Sequence, residues 1–237
     1  MPSSLIHLRV CDRLLRYLPR ETWDDFIVGN IAPDCGERIP GTKRYEPPRN
    51  LTHFTLMPQR WNTRTHPAWF YETCVMTGDE PHLRAFKLGV YCHLVTDNRY
   101  IEDIYEAYER KFGSAFLHWA AKQVKKEDGV YLDALYLKSE TPYAVKRFLQ
   151  LEGYAGGVPP YYPSEAITRR MGEIRQELQP GEPVVPAGML LAPDANDRLV
   201  ANSEAELKPF MEREAVTCRL PAPASPETAR CAALRPG

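Results

Sequence analysis

The chain has 237 residues, of which 43% are hydrophobic and 26% charged, and its 30 basic and 31 acidic residues leave a formal net charge of -1. This composition is typical of a folded globular domain and excludes a chain that is disordered throughout. The near-neutral charge argues against a dedicated nucleic-acid-binding protein, which usually has a clear basic excess.

The N-terminal half begins with patterns of amphipathic helices. The first pattern predicts a helix over residues 3–18, which Ser3 or Ser4 can cap and Pro19 ends. His7 lies on the apolar face of this helix. A second helix is predicted near "TWDDFIVGN" and runs into the turn "IAPDCG". The segment "GERIPGTKRYEPPRN" has no periodicity and is predicted to be a loop that ends at "LTHF".

The longest helical pattern begins near Asp79, a candidate N-cap, and runs through "PHLRAFKLGVYCHLVTDNRYIEDIYEAYERKF". Its apolar stripe includes His93 and Asp97, so both polar residues face the core. Other helices are predicted over "PAWFYETCVM" before it, and over "SAFLHWAAKQV", "VYLDALYL" and "YAVKRFLQL" after it. Because no strand alternation appears in the first 150 residues, we predict an all-α core.

The composition changes after this core. We predict a helical metal-binding core over residues 1–152, a less regular helical extension over 153–220 and a disordered low-complexity tail over 221–237. The six cysteines form no CxxC pair and are interpreted as reduced thiols. The charged N-terminus does not resemble a signal peptide, and no apolar run is long enough to cross a bilayer. We therefore expect a cytoplasmic protein without a transmembrane segment.

Ligand-type side chains recur at core-facing positions or in the turns between helices: His7, Asp34, His53, His93 and Asp97. The last two are spaced i, i+4, which places their side chains about 5–6 Å apart on one helix face. Imidazole and carboxylate together suit Zn²⁺, Mn²⁺ or Fe²⁺, and burying them without a cation is costly. Each residue also has an ordinary alternative, as a hydrogen-bonded core histidine, a cap or a turn residue.

The ordered segments "SSLIHLRV", "FIVGNIAPDC", "LTHF" and "KLGVYCHLVTD" resemble the zinc-dependent phospholipase C and S1/P1 nuclease superfamily, most closely its small bacterial branch of phospholipase C/D-like hydrolases. The resemblance covers roughly residues 1–150. It implies an all-helical fold with up to three zinc ions in a cleft; manganese or iron stays open as the metal.

The resemblance also implies roles for single residues. Asp34, His53, His93 and Asp97 would share the first metal, and His7 would hold another with Asp97 as the bridge. Asp34 would orient or deprotonate the attacking water, and is the candidate catalytic residue.

The second-metal ligands of the superfamily match less well. In place of a histidine six residues beyond Asp97 the chain has Asp103, which reaches the cluster only if the helix bends. For a further histidine–carboxylate pair, "VYLDALYL" offers Asp133 alone. Asp103 and Asp133 are retained as candidate metal ligands.

The leading hypothesis is a metal-dependent hydrolase that acts on a phosphoric ester, with a small phosphoester or a phospholipid as the substrate. The alternative is a non-catalytic helical interaction module that retains a structural or vestigial metal site. An HD-type phosphohydrolase is set aside because the chain contains no His-Asp dipeptide. The oligomeric state stays open.

Overall fold

The computed structural model describes residues 2–56, 63–75, 79–106, 109–110, 113, 127–156, 161–179, 181–186, 189 and 191–218. Over these ranges the fold is all-α, as predicted, with nine α-helices and one very short β-hairpin. The helix predicted over "SAFLHWAAKQV" and the predicted tail 221–237 lie outside the described residues. Among the helices described, none combines the length and the apolar character that a membrane span requires.

The helices are α1 (Ser4–Leu14), α2 (Trp23–Ile31), α3 (Arg49–Thr52), α4 (Pro67–Cys74), α5 (Pro81–Tyr100), α6 (Gly129–Ser139), α7 (Tyr143–Gln150), α8 (Ser164–Glu177) and α9 (Ala195–Cys218). Short 3₁₀ turns follow α1 at Leu15–Tyr17 and α2 at Ala32–Cys35, and a third precedes α2 at Arg20–Thr22. A π-helical turn, Ile101–Glu106, continues α5.

The predicted cap of α1 is confirmed, but the end of α1 and the cap of α5 differ from the predictions: α1 ends at Leu14 instead of residue 18. Ser3 caps α1 as predicted, with its Oγ accepting a hydrogen bond from the Ile6 amide at 3.4 Å. Helix α5 is capped by Glu80, whose carboxylate accepts hydrogen bonds from two amides of the first turn. Asp79, the predicted cap, instead accepts a hydrogen bond from Lys87 Nζ at 2.8 Å, because a neighbouring lysine is the better partner for a charged carboxylate.

The segment predicted as a loop contains a β-hairpin with two-residue strands, in which β1 (Glu37–Arg38) pairs antiparallel with β2 (Tyr45–Glu46). Gly41 at the tip has a φ of 73°, a left-handed conformation that glycine adopts without strain. The hairpin is too short for its sequence to show strand alternation.

Helices α2 and α5 cross where each presents a glycine to the other. A Cβ on Gly29 would overlap the carbonyl oxygen of Phe86, and a Cβ on Gly89 would overlap that of Phe26 and lie 2.7 Å from the Asn30 nitrogen. The two backbones therefore meet directly, and no side chain larger than hydrogen fits between them. This crossing fixes the end of α2 against the middle of α5, where the functional residues are.

The C-terminal helices pack on the same core. Helix α9 contacts α1 and α5, and α8 contacts the 3₁₀ turn Ala32–Cys35. Glu214 of α9 accepts hydrogen bonds from Arg84 at 2.5 Å and from the Tyr71 hydroxyl at 2.6 Å. Arg169 of α8 donates to the carbonyl oxygen of Cys35 at 2.8 Å. The extension thus supports the turn that carries Asp34.

Candidate functional site

Five of the seven predicted ligand residues converge at one point. His7 comes from α1, Asp34 from the 3₁₀ turn after α2, His53 from the residue after α3, and His93 and Asp97 from α5. The Asp97 carboxylate lies 3.6 Å from Nε2 of His7, 3.7 Å from Nε2 of His53 and 3.6 Å from Nε2 of His93. His53 Nε2 is also 3.4 Å from Asp34 Oδ1.

The ligand atoms form two overlapping groups. His7, His93 and Asp97 form one group, and Asp34, His53 and His93 form the other; within each group, one ligand atom of every residue lies within 4.8 Å of the others. The rings of His7 and His93 stack with centroids 3.9 Å apart and planes inclined by 6°. The arrangement suits one cation or two adjacent ones.

Two backbone carbonyls orient the imidazole rings. His93 Nδ1 lies 2.8 Å from the carbonyl oxygen of Asn30, and His53 Nδ1 lies 3.2 Å from that of Arg49. Thr52 Oγ1 is a second partner of His53 Nδ1, at 2.9 Å. Because a carbonyl oxygen only accepts hydrogen bonds, His93 carries a proton on Nδ1 and directs Nε2 toward the cluster. This is the tautomer that a metal-binding histidine adopts.

His53 is held by an unusual backbone conformation. The next residue, Phe54, has a φ of 49°, which bulky residues rarely adopt. Its ring packs edge-on against Trp69, Phe70 and Tyr161. The buried Tyr162 hydroxyl donates to the carbonyl oxygen of Thr52 at 2.9 Å. Aromatic packing from three parts of the chain therefore holds His53 in the cluster.

Several polar atoms of the cluster have no hydrogen-bond partner within the part of the chain that the structure describes. They are both ring nitrogens of His7, Nε2 of His53, Nε2 of His93 and Oδ1 of Asp97. Each of these residues is buried, with 2% exposure or less. Unpaired buried polar atoms are costly, and here they are nitrogen and oxygen atoms of the types that bind zinc. The residues present therefore fit a divalent cation.

The two carboxylates stay ionised. Burial alone would raise the pKa of Asp97, but its contacts with His93 and His7 outweigh burial and hold that pKa well below 3.8. Burial likewise opposes ionisation of Asp34, while its contact with His53 and the charge of Arg49 hold its pKa well below 3.8. Both side chains are thus anionic at neutral pH, as a cation site requires.

The three histidines differ in protonation. Burial and the proximity of His93 lower the pKa of His7 to about 4. Burial also lowers the pKa of His53. Burial alone would lower the pKa of His93, but the charges of Asp97 and Asp34 outweigh burial and raise that pKa. His7 and His53 are therefore neutral at pH 7, the form in which imidazole binds metals.

A cleft of about 970 Å³ opens beside the cluster and reaches Asp34. Asp34 has 14% of its side chain exposed, whereas the four other cluster residues are almost fully enclosed. Arg49 Nη2 donates to Asp34 Oδ1 at 3.0 Å and also lines the cleft. Val130, Val184 and Val185 form an exposed apolar part of its wall. Asp34 therefore connects the buried cluster to the cleft.

The structure does not bring Asp103 or Asp133 into either ligand group. Asp103 lies in the π-helical turn, where its carboxylate accepts hydrogen bonds from Asn202 at 2.8 Å and from Arg99 at 3.5 Å. Asp133 lies on α6 and lines the cleft, where it accepts a hydrogen bond from Asn196 at 3.2 Å. Helix α5 changes to π geometry after Tyr100, but the change does not direct Asp103 to the cluster.

Sequence reasoning did not single out two residues near the cluster. Asn30 supplies the carbonyl oxygen that orients His93, and Arg170 of α8 lines the cleft with Arg49. A signal for Asn30 was available, because it is a polar residue within the apolar run "FIVGNIA". The sequence contains no such signal for Arg170, because the position of Arg170 depends on how α8 packs.

Comparisons of the chain with protein-family models, with curated proteins and with solved structures found no match.

Proposed function

We propose that this chain is a metal-dependent hydrolase of a phosphoric ester, with zinc as the expected metal and manganese or iron as alternatives. One observation carries the proposal. Three imidazole Nε2 atoms and a carboxylate oxygen converge in a buried cluster and have no hydrogen-bond partner among the described residues. Next to them, a fifth side chain, the Asp34 carboxylate, faces a cleft.

The two ligand groups define which residues would hold metal. His7, His93 and Asp97 form the inner group, and Asp34, His53 and His93 form the group nearer the cleft. A divalent cation bound there would act as a Lewis acid that lowers the pKa of water in the site and neutralises phosphate charge. Two carboxylates and three imidazoles supply enough donors for one or two such ions.

The residues of the chain account for the other requirements of phosphoester hydrolysis. The guanidinium group of Arg49 lines the cleft and can donate two parallel hydrogen bonds to phosphate oxygens. The Asp34 carboxylate, ionised and open to the cleft, accepts the proton of the attacking water. The water oxygen forms a bond to phosphorus, the bond from phosphorus to the alcohol oxygen breaks, and that oxygen takes a proton from solvent.

The arginines and valines of the cleft suit a substrate that combines phosphate with an apolar group, although the lining also includes six carboxylates. Arg49 lies beside Asp34, and the exposed side chains of Val130, Val184 and Val185 lie elsewhere on the wall. Apolar side chains at a cleft mouth lose contact with water when an apolar ligand binds. A small phosphodiester with an apolar alcohol, or a phospholipid, therefore suits the cleft.

The burial of the cluster favours a second candidate function. His7, His53, His93 and Asp97 are at most 2% exposed, and structural metal sites are closed, whereas catalytic ones keep an open position. The alternative is therefore a helical interaction module stabilised by a structural metal. The two functions differ in one measurable way, because only the hydrolase turns over a phosphodiester.

The test combines metal content with hydrolysis of bis(p-nitrophenyl) phosphate by the full chain. We expect the wild type to contain zinc and to release p-nitrophenol, and Asp34→Asn to lose most activity and to bind zinc more weakly, because Asp34 belongs to one of the ligand groups. Asp103→Asn is the matched control, because Asp103 accepts hydrogen bonds from Asn202 and Arg99 outside the cluster. Zinc without turnover over a panel of phosphoesters would favour the interaction module, and a protein that takes up no metal would contradict both.

A further inference from the structure

Asn30 has a buried side chain whose polar atoms have no partner. It lies in the last turn of α2 and is 0% exposed. Neither Oδ1 nor Nδ2 has a hydrogen-bond partner in the part of the chain that the structure describes. Buried amides are nearly always hydrogen-bonded in native proteins. An amide with both atoms unpaired therefore points to a ligand that the protein atoms alone do not supply.

The backbone of Asn30 contacts one cluster residue, His93, through the ring nitrogen opposite Nε2. Its carbonyl oxygen lies 2.8 Å from Nδ1 of His93. Its nitrogen packs on Gly89, which is one helical turn before His93 on α5. Asp34 follows Asn30 by four residues, across the end of α2 and the 3₁₀ turn. Asn30 thus lies between the element that carries Asp34 and the helix that carries His93 and Asp97.

We propose that the Asn30 side chain is a further ligand of this site, with Oδ1 as a neutral oxygen donor to a divalent cation. The inference rests on the proposed metal site. Amide oxygens bind divalent cations. The charge balance favours an amide at this position, because Asp34 and Asp97 already neutralise one divalent cation, and a third carboxylate would leave excess buried negative charge.

The deciding variant is Asn30→Leu, which has nearly the same shape and no polar side-chain atoms. Zinc binding by the full chain is measured at pH 7 by competition with a chromophoric chelator, and unfolding of the metal-free protein by urea. We expect zinc affinity to fall at least tenfold, while the metal-free variant is as stable as the wild type or more stable. Asn30→Asp keeps an oxygen donor and is expected to retain zinc.

Cobalt(II) provides a readout that a merely structural role would not change. The visible absorption of bound cobalt depends on the number of its ligands, so the Asn30→Leu spectrum should differ from that of the wild type. Asn202→Leu is the matched control, since Asn202 contacts Asp103 away from the cluster, and should leave affinity and spectrum unchanged.

The outcomes separate this inference from the proposed function. If the wild type binds zinc and the affinity of Asn30→Leu is less than tenfold weaker, Asn30 is not a ligand and only this inference fails. If the wild type binds no divalent metal, the proposed function fails as well. Should Asn30→Leu not fold, the same comparison is made with Asn30→Ala, which removes the amide and introduces no bulk.

Discussion

Asp97→Asn removes the negative charge of the carboxylate that lies close to all three histidines, and it keeps the shape of the side chain. Two opposite unit charges 3.6 Å apart, the distance from the Asp97 carboxylate to Nε2 of His93, attract each other by about 4–5 kcal/mol at an effective dielectric constant of about 20. A cation in the cluster loses an attraction of similar size in the variant. We therefore expect zinc affinity to fall by a factor of about one thousand.

The consequence for zinc-dependent stability follows by mass action. At free zinc of about one hundred times the wild-type Kd, binding raises the free energy of unfolding of the wild type by about 2.7 kcal/mol. At the same concentration, a variant with thousandfold weaker affinity gains less than about 0.1 kcal/mol. Urea unfolding of both proteins with zinc and with a chelator measures the difference.

The stabilities of the metal-free wild type and variant give a second comparison, and the pKa of Asp97 predicts which protein is more stable. The folded-state pKa of Asp97 is depressed below 3.8, so the carboxylate contributes stability that is present above about pH 4 and lost as the pH falls through the folded-state value. Metal-free Asp97→Asn should therefore be less stable than the wild type at pH 7, with a smaller difference in acid. Asp103→Asn, outside the cluster, is the control. Zinc stabilisation of Asp97→Asn equal to that of the wild type would refute the reasoning.

Three further predictions follow from the fold and the cleft. Gly89→Ala forces a Cβ against the backbone of α2, so the free energy of unfolding should fall by about 2 kcal/mol or more. Gly172→Ala, whose Cβ meets open space, should instead stabilise the protein by up to about 1 kcal/mol. Equal effects of the two variants in urea unfolding would contradict the close crossing of α2 and α5. Burial raises the pKa of Asp133 from 3.8 to about 7, so the free energy of unfolding of the wild type should fall by about 2–4 kcal/mol between about pH 4 and pH 7, as the unfolded state loses its proton first. Asp133→Asn should lack this decrease, and a pH profile equal to that of the wild type would contradict the buried carboxyl. Arg49→Ala should raise the KM for a phosphodiester about tenfold, whereas Arg44→Ala, in the exposed hairpin loop, should not; equal KM values for both would exclude Arg49 from phosphate binding.

The positions that sequence periodicity placed correctly belong to regular helices. His93 and Asp97 lie on the buried face of α5 because every residue of a regular helix follows the same rotation. His7 faces the core from α1 for the same reason. The all-α fold was predicted on this basis and is confirmed. The metal-binding role of these residues stays a prediction.

The contacts between elements could not be read from periodicity. The hydrogen bond from His93 to the Asn30 carbonyl depends on the close crossing at Gly29 and Gly89, which no helical pattern records. Asp103 follows Asp97 by six residues, and its direction depends on a π-helical turn and on a partner, Asn202, from α9. The access of Asp34 to the cleft likewise depends on the packing of distant segments.

The central claim is that the cluster of His7, Asp34, His53, His93 and Asp97 holds a divalent metal. The most direct measurement is anomalous diffraction at the zinc absorption edge from crystals of the full chain grown with zinc. We predict an anomalous peak inside the cluster, with Nε2 and carboxylate oxygens at about 2.0–2.2 Å from the ion. A well-ordered crystal in which the five side chains converge and the cluster contains no peak would contradict the account.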